Sequence, residues 1–354
     1  MLKIAKSEEL FQLLKERIGT MNNGDRFHSV RQLMKEFEVS QFSIKPALDK
    51  LEEEGLINCI VGKGTFVRRP QQAAVKKILM LVPEWPSPAI REMVEKMEKA
   101  VTARSHQFKK CFYDCREDVY ARLREFQADA IILDPINPGD LSPSNLHNLL
   151  KCPCPVVLIR SIASNARINY VCGNNTAAGM IAAQYLLEQG HRRLALAITE
   201  PKVRTSRDLA DSFTHYVRAH GAHLQIIDCH TVSGEDAGMK AYLKTTEWLQ
   251  CHKVDFTAMF VVSDDTVIGC QKALAEKNIR IPDDVSIIGF GNVASSALYH
   301  PALTTIDTDR DKMSAATVDI IEKCIADPAS AGYQVNVYQE IVIRDSVKNI
   351  NINP

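Results

Sequence analysis

The hydrophobic positions of the chain recur with two different periods. Near the N-terminus, apolar residues such as Leu10, Phe11, Leu14 and Ile18 return every three or four positions, which places them on one face of a helix. From residue 78 onward, short continuous runs of aliphatic residues alternate with amphipathic segments. Continuous apolar runs are typical of parallel strands that are covered on both faces. The second part of the chain therefore predicts a repeated strand–helix alternation, an α/β fold, which includes a helix at 118–126 and a last strand at 335–343.

The first 69 residues predict three helices followed by a β-hairpin. Ser29 and Gln32 form a capping-box pattern at the start of the second helix, and Ser40 is expected to cap the third. Two short strands surround a tip at Gly62-Lys63-Gly64. A short turn between the second and third helices, with a hairpin after them, describes a winged helix-turn-helix. In that motif the N-terminal side chains of the third helix reach the base edges of the major groove.

Residues 70–77 are polar, small and marked by proline, so they predict a linker before a larger domain at 78–354. The larger domain contains strands that end in polar residues, among them Ser263-Asp264-Asp265 and Gly291-Asn292. In open parallel sheets, ligands bind at the carboxyl ends of the strands. These strand ends are therefore candidates for a binding site.

Charge and composition add little to this picture. Lysine plus arginine and aspartate plus glutamate both number 43, so no global charge favours nucleic acid or a membrane surface. Residues 1–70 carry an excess of only two positive charges. The N-terminus is polar, without a signal-peptide pattern, and no apolar run approaches the roughly 20 residues that span a bilayer. We expect a cytoplasmic protein that does not enter a membrane.

The cysteine pattern raises the question of a metal site. Cys152-Pro153-Cys154 has Cys111 and Cys115 upstream and His147 nearby. This spacing fits no usual zinc pattern, and Cys154 leads directly into an apolar strand. We therefore expect no metal and no cofactor.

The segment from Gly24 to Val67, GDRFHSVRQLMKEFEVSQFSIKPALDKLEEEGLINCIVGKGTFV, resembles the DNA-binding domain of GntR-type regulators. The resemblance implies that Arg31 and Lys45 contact phosphates or bases and that Gly62-Lys63 forms the wing tip. Gln41 and Lys45 stand where such domains usually carry arginine, and a glutamine reads adenine rather than guanine. An alternative is a winged helix used for protein contacts. The DNA-binding candidates are Arg31, Ser40, Gln41, Phe42, Ser43, Lys45, Gly62 and Lys63.

Three later motifs, SDDTVIG, IPDDVSIIGF and HPALTTI, resemble the effector-binding domain of LacI/GalR-type repressors. That resemblance implies the fold of periplasmic sugar-binding proteins, with two parallel-sheet Rossmann-like lobes around a cleft. We expect the first lobe at about 78–160 and 302–327 and the second at about 161–295 and 332–346. Closure of the cleft on a ligand by a hinge motion follows from that architecture.

The resemblance also implies a set of effector-binding side chains at the strand ends, and four of them differ here. Arg160, Leu209, Ser263 and Gly291 stand where an aspartate, an arginine, an asparagine and an aspartate are expected, which makes the site more positive. An anionic effector such as a sugar acid or sugar phosphate would pair with Arg160, together with Arg204 or Arg207. The alternative is a cleft that no longer binds a ligand. The effector-binding candidates are Trp85, Asp134, Arg160, Arg207, Ser263, Asp264 and Asn292.

The sequence predicts a ligand-responsive transcription regulator, a repressor of carbohydrate-metabolism genes controlled by a sugar-derived effector. We expect a homodimer on palindromic operator DNA, because two recognition helices need two half-sites. No phosphate-binding, dinucleotide-binding or nucleophile-elbow motif is present, so we expect no enzymatic activity. The competing hypothesis is a metabolite-binding protein with a vestigial winged helix.

Overall fold

The computed structural model describes residues 2–60, 63–68, 74–136, 141–163 and 167–351, with side chains from residue 8 onward. The chain divides into two units, Met1–Val75 and Lys76–Pro354. Each unit has its own hydrophobic core.

The N-terminal unit contains three helices and a two-stranded antiparallel sheet. The helices are α1 (Leu2–Thr20), α2 (Val30–Glu36) and α3 (Gln41–Glu53), and the strands are β1 (Ile57–Ile60) and β2 (Gly64–Val67). Leu14 of α1, Leu33 of α2 and Ile44 of α3 are fully buried against one another in a single core. The apolar residues that recur every three or four positions in the sequence thus pack into one core that the three helices share, as expected.

The starts of α2 and α3 differ in how they are capped. Ser29 accepts a hydrogen bond from the Gln32 amide, and the Gln32 side chain accepts one from the Ser29 amide, which confirms the capping box. Ser40 occupies the N-cap position of α3, but its side chain makes no capping bond and instead meets the Ser43 hydroxyl at 3.2 Å. Ser40 thus stands at the expected N-cap position, but the prediction that its side chain caps α3 is wrong. Helix α3 continues through Pro46.

The larger unit contains two six-stranded sheets, each flanked by helices. We define lobe 1 by the sheet with the strand order β13-β7-β6-β5-β3-β4, in which all neighbours are parallel. Its strands are β3 (Lys77–Pro83), β4 (Gln107–Tyr113), β5 (Ala130–Leu133), β6 (Val156–Ile159), β7 (Asn169–Gly173) and β13 (Gln334–Val337). Its helices are α4 (Pro88–Ala103), α5 (Pro143–Leu150) and α10 (Arg310–Ala326).

Lobe 2 is built on the sheet with the order β14-β12-β11-β10-β8-β9, parallel except for the antiparallel edge strand β14. The strands are β8 (Arg193–Ile198), β9 (His223–Asp228), β10 (Ala258–Val261), β11 (Ser286–Gly291), β12 (Thr304–Asp307) and β14 (Glu340–Val342). The helices are α6 (Asn175–Glu188), α7 (Arg204–Ala219), α8 (Ala237–Cys251) and α9 (Asp264–Glu276). Apolar clusters cover both faces of each sheet, which explains the continuous aliphatic runs.

The expected limits of the two lobes are wrong in three places. Strand β7 pairs with β6, so the chain leaves lobe 1 after Gly173 rather than near residue 161. Strand β12 pairs with β11, so 304–307 belongs to lobe 2. The expected single strand at 335–343 is two strands, β13 in lobe 1 and β14 in lobe 2. Three connections therefore join the lobes, after β7, after β12 and between β13 and β14.

One predicted helix is absent. The segment 118–126 forms successive turns and a short 3-10 helix at Leu123–Glu125 instead of an α-helix. The Asp118 carboxylate accepts a hydrogen bond from the Tyr120 amide, an interaction by which aspartate favours local turns over helix.

Among the described residues, no helix is long and apolar enough to cross a membrane.

Candidate functional site

A cavity of about 210 Å³ lies between the two lobes, at the carboxyl ends of the strands of both sheets. This is smaller than the roughly 300–1,000 Å³ of pockets that hold drug-sized ligands, so the cavity suits a small metabolite. Its apolar lining includes Trp85, Ile90, Met93, Leu209, Val262, Phe290 and Met313. Its polar lining includes Ser87, Arg160, Asn175, Glu200, Thr205, Ser206, Ser263, Thr308, Arg310 and Gln339.

Three of the predicted effector-binding residues line this cavity, namely Trp85, Arg160 and Ser263. A fourth, Asp134, lies behind the wall, where its buried carboxylate receives hydrogen bonds from the Arg160 guanidinium at 2.8–3.2 Å. Burial raises the pKa of Asp134, and Arg160 opposes that rise. The positive charge that Arg160 brings to the cavity is thus offset by a carboxylate in direct contact.

The other three predicted effector-binding residues, Arg207, Asp264 and Asn292, are not among the residues that line the cavity. Arg207 is exposed on α7, outside the lining. Asn292 donates to Asp307 at 3.1 Å and accepts from Arg344 at 2.7 Å, within lobe 2. Its φ of 50° lies in the left-handed region, which asparagine tolerates better than most residues.

Asp264 is a structural residue of lobe 2 rather than part of the cavity wall. It is 1% exposed, and it accepts hydrogen bonds from Ser296 at 2.7 Å and Thr305 at 2.8 Å. Burial raises its pKa to about 6. The carboxylate packs so closely on Gly289 that a Cβ there would lie 2.0 Å from Oδ1. The strand-end position was predicted, but the side chain points into the lobe.

Sequence reasoning missed most of the polar residues of the cavity, among them Glu200, Arg310 and Gln339. Glu200 follows β8, and burial raises its pKa to about 7, while a hydrogen bond with Ser263 lowers it. Arg310 begins α10, is 8% exposed, and donates to the Gly291 carbonyl at 2.7 Å. Gln339 lies in the connection between β13 and β14. Arg310 and Gln339 reach the cavity through crossings between the lobes and have no local motif, whereas Glu200 stands at a carboxyl strand end, a position that the strand-end rule could have indicated.

Two departures from the LacI-type pattern also fall in the wall. Leu209 is 1% exposed and lines the cavity, so an apolar side chain replaces the expected guanidinium. Gly291 lines the cavity where an aspartate was expected. Both changes remove a charged group that would otherwise bind polar ligand atoms.

Hydrogen bonds join the two lobes at the rim of the cavity. The Ser87 hydroxyl of lobe 1 donates to the Asp265 carboxylate of lobe 2 at 2.6 Å. The Glu92 carboxylate of α4 accepts from the Ala294 amide at 2.7 Å and lies 3.7 Å from the Arg310 guanidinium. These contacts hold the lobes together on one side of the cavity.

The predicted DNA-binding residues are mostly exposed in the N-terminal unit. Gln41, Phe42 and Lys45 are exposed on the first turns of α3, with the Phe42 residue 91% exposed. Ser40 and Arg31 are also exposed, and Ser43 is half-buried beside Ser40. Lys63 is exposed between β1 and β2, and Gly62 lies outside the described residues.

The cysteines do not form a metal centre within the described part of the chain, where no group of three or more His, Cys, Asp or Glu is placed to hold an ion. Cys152 and Cys154 are half-buried with their sulfur atoms 3.9 Å apart. His191 is 1% exposed and bonds to Thr257 and the Lys348 carbonyl, which is a structural role.

Two family models match the chain. Residues 6–67 match the bacterial regulatory proteins of the gntR family, and residues 183–347 match a periplasmic binding protein-like domain. The repressor PurR of Histophilus somni is 26% identical over 202 residues, 55% of this chain. That match spans only 58% of the length of the PurR repressor.

Two further similarities cover more of the chain. The arabinose metabolism transcriptional repressor of Geobacillus stearothermophilus is 23% identical over 356 residues and 94% of each chain. A crystal structure of the lac repressor dimer, bound to operator and an anti-inducer, superposes with a TM-score of 0.67. It is 18% identical and covers 78% of this chain and 95% of that one, which shows a common fold. The chain therefore joins a segment that matches the gntR family model to a segment that matches a periplasmic binding protein-like domain, and its larger unit shares the fold of the lac repressor structure.

Proposed function

We propose that the protein is a transcription regulator, a repressor that binds operator DNA and is controlled by a small effector in the cleft. One observation carries this proposal. A single chain holds a winged helix with an exposed third helix and a two-lobed domain with a cavity between its lobes. The relatives described above are named as transcriptional repressors, which supports the same function. We place this activity in the cytoplasm, and we assign no enzymatic step.

The third helix carries the chemistry that DNA recognition needs. Lys45 can neutralise a phosphate, and the Gln41 amide can pair with adenine N6 and N7. The Phe42 ring is exposed to solvent, and such a ring can contact a thymine methyl group. The N-terminal turns of α3 thus present one charged, one hydrogen-bonding and one apolar group.

For the effector, we propose a small neutral polyol or sugar rather than an anion. The sequence suggested an anion because of Arg160 and Arg207. Arg160 is paired with Asp134, Arg310 lies 3.7 Å from Glu92, and Arg207 lies outside the cavity lining. With both arginines balanced by carboxylates, the site lacks the surplus positive charge that would favour a phosphate or carboxylate. The arabinose repressor similarity supports a sugar.

We propose that the protein acts as a homodimer on a palindromic operator. Two winged helices reading two half-sites require a two-fold arrangement, and the similar lac repressor structure is a dimer on operator. Effector control requires a difference in effector affinity between the DNA-bound and DNA-free states, and that coupling is reciprocal.

Fluorescence anisotropy with labelled promoter fragments from the region of its own gene tests this function. Binding is measured at 50 and 200 mM salt, with and without neutral sugars and sugar acids. If six to ten phosphates are contacted, specific affinity should fall by about 10³–10⁵ across this range, because counterions are released. Lys45→Ala should make the slope of log affinity against log salt concentration less steep by about 0.9, because one phosphate contact is lost. Lys99→Ala, an exposed lysine on α4, is the matched control and should leave the slope unchanged.

Three outcomes would each contradict a part of the proposal. Absence of specific binding to any promoter fragment, together with sugar binding, would favour the metabolite-binding alternative. Equal salt slopes for the wild type and Lys45→Ala would remove α3 from the DNA interface. A stronger response to sugar acids than to neutral sugars would restore the anionic effector.

A further inference from the structure

The connection between β13 and β14 places one polar side chain in the cavity wall. β13 ends in lobe 1 at Val337 and β14 begins in lobe 2 at Glu340, so only Tyr338 and Gln339 cross between them. The two residues differ sharply in exposure, 64% for Tyr338 and 1% for Gln339. The buried one, Gln339, lines the cavity.

The Gln339 amide has no hydrogen-bond partner within the protein. Neither Oε1 nor Nε2 meets a donor or acceptor among the described residues, although both atoms are fully buried. A buried donor and acceptor left unpaired are unfavourable, and most such groups in proteins are satisfied. An unpaired amide in a cavity wall is explained when a ligand supplies its partners.

A glycine on a second connection makes room for this amide. A Cβ on Gly173 would lie 2.6 Å from Nε2 and 2.9 Å from Cδ of Gln339, and 3.2 Å from Asn175 Oδ1. Gly173 does not adopt a left-handed φ, so backbone conformation does not require glycine there. The space it leaves is filled by the end of the Gln339 side chain, which is thus seated at the end of β7.

We propose that Gln339 is an effector-binding residue that determines ligand specificity in the cleft. Its amide offers a donor and an acceptor side by side, so the matching ligand group is neutral and presents the complementary pair. The vicinal hydroxyls of a sugar and the amide edge of a nucleobase both do so. This inference rests on the proposed function, since it assumes that the cavity holds an effector.

The position of Gln339 also gives the ligand direct access to a lobe connection. Only two residues join β13 to β14, so a ligand bonded to Gln339 is bonded to a segment shared by both lobes. Such a bond differs between an open and a closed cleft, which is the differential interaction that effector control requires.

Three variants of the full chain test the proposal. Gln339→Leu keeps the side-chain size and removes both hydrogen-bonding atoms, and Gly173→Ala displaces the amide. Tyr338→Ala, on the same connection but exposed, is the matched control. Neutral monosaccharides and free nucleobases are screened separately by thermal shift, and the ligand that stabilises the wild type is titrated by calorimetry.

We expect Gln339→Leu and Gly173→Ala to weaken binding of that ligand about 10- to 100-fold and Tyr338→Ala to leave it unchanged. The melting temperature of unliganded Gln339→Leu should stay within about 2 °C of the wild type or rise, because no protein bond is lost. Equal affinity of the wild type and Gln339→Leu, or a large loss of unliganded stability in Gln339→Leu, would overturn the proposal.

Failure of the wild type to bind either compound class would also overturn the role of Gln339. If the same preparation still bound promoter DNA in a salt-dependent way, the proposed DNA-binding function would be retained and only the proposed role of Gln339 would be lost. The two failures are therefore distinguishable.

Discussion

Arg160 holds the carboxylate of Asp134 with two of its nitrogen atoms, Nε and Nη2, and each contacts both carboxylate oxygens at 2.8–3.2 Å. The Asp134 side chain is fully buried, whereas the Arg160 side chain is 39% exposed toward the cavity. Arg160 adopts a φ of 54°, in the left-handed region that is uncommon for arginine. The pair therefore links the ends of β5 and β6 and fixes the charge of the cavity wall.

Replacing Arg160 with methionine should destabilise the protein. Removing one partner of a fully buried ion pair costs about 3–5 kcal/mol, and the partial exposure of Arg160 reduces our expectation to about 2–3 kcal/mol at pH 7.5. The loss should shrink at pH 5, because Asp134 without its partner can take up a proton. Urea unfolding at both pH values measures this. The double variant Asp134→Asn/Arg160→Met should recover most of the stability, and an unchanged Arg160→Met would contradict the prediction.

Phe42 should contribute to DNA affinity and not to folding. Because the residue is 91% exposed, Phe42→Ala should change the free energy of unfolding by no more than about 0.5 kcal/mol. Loss of apolar contact with DNA should weaken operator binding about tenfold, equivalent to about 1.4 kcal/mol. Leu13→Ala, a half-exposed apolar residue on α1, serves as the control and should not change DNA affinity. Unchanged operator binding by Phe42→Ala would assign the ring to a protein contact instead.

Cys152 should react with alkylating agents at lower pH than an ordinary thiol. The Cys152 and Cys154 thiols share a hydrogen bond between sulfur atoms 3.9 Å apart, and this contact lowers the pKa of Cys152. The thiolate is the reactive form. Cys154→Ala should therefore slow iodoacetamide labelling of Cys152 several-fold at pH 6.5, as measured by peptide mass spectrometry. Cys154→Ser keeps a donor and should preserve more of the rate. Equal rates for the wild type and Cys154→Ala would show that the pair does not share its proton in this way.

The sequence was sufficient to predict those strands and cavity residues that are marked by a pattern of neighbouring residues. Continuous aliphatic runs predicted the strands, and the rule that ligands bind at carboxyl strand ends led to Ser263 in the cavity wall. The resemblance to LacI-type domains added Trp85, which also lines the cavity. The same rule selected Asp264 and Asn292, which follow strands of lobe 2 but turn toward its interior. Strand-end position alone does not decide which way a side chain points.

Residues that reach the cavity through a crossing could not be found in this way. Gln339 was hidden because 335–343 reads as one uninterrupted strand, although its two halves pair in different lobes. Arg310 was hidden because it begins a helix of lobe 1, while its guanidinium donates to the Gly291 carbonyl of lobe 2. Pairing partners of strands depend on the whole fold, and a single sequence does not contain them.

Glu200 should make the stability of the larger unit depend on pH near neutrality. Burial in the cavity wall and the nearby Asp265 carboxylate raise its pKa to about 7, although Ser263 and Arg160 oppose the rise. Between the unfolded value of about 4.3 and this folded value, the native state binds more protons than the unfolded state, so stability falls as the pH rises. Between pH 5 and pH 8, the free energy of unfolding of Glu200→Gln should therefore decrease by about 1–2 kcal/mol less than that of the wild type, after allowance for solvent screening. Asp264, with its pKa of about 6, contributes a fall of the same sign in both proteins, so the difference between their melting curves isolates Glu200. Parallel curves for the wild type and Glu200→Gln would mean that Glu200 is ionised in the native protein throughout this range.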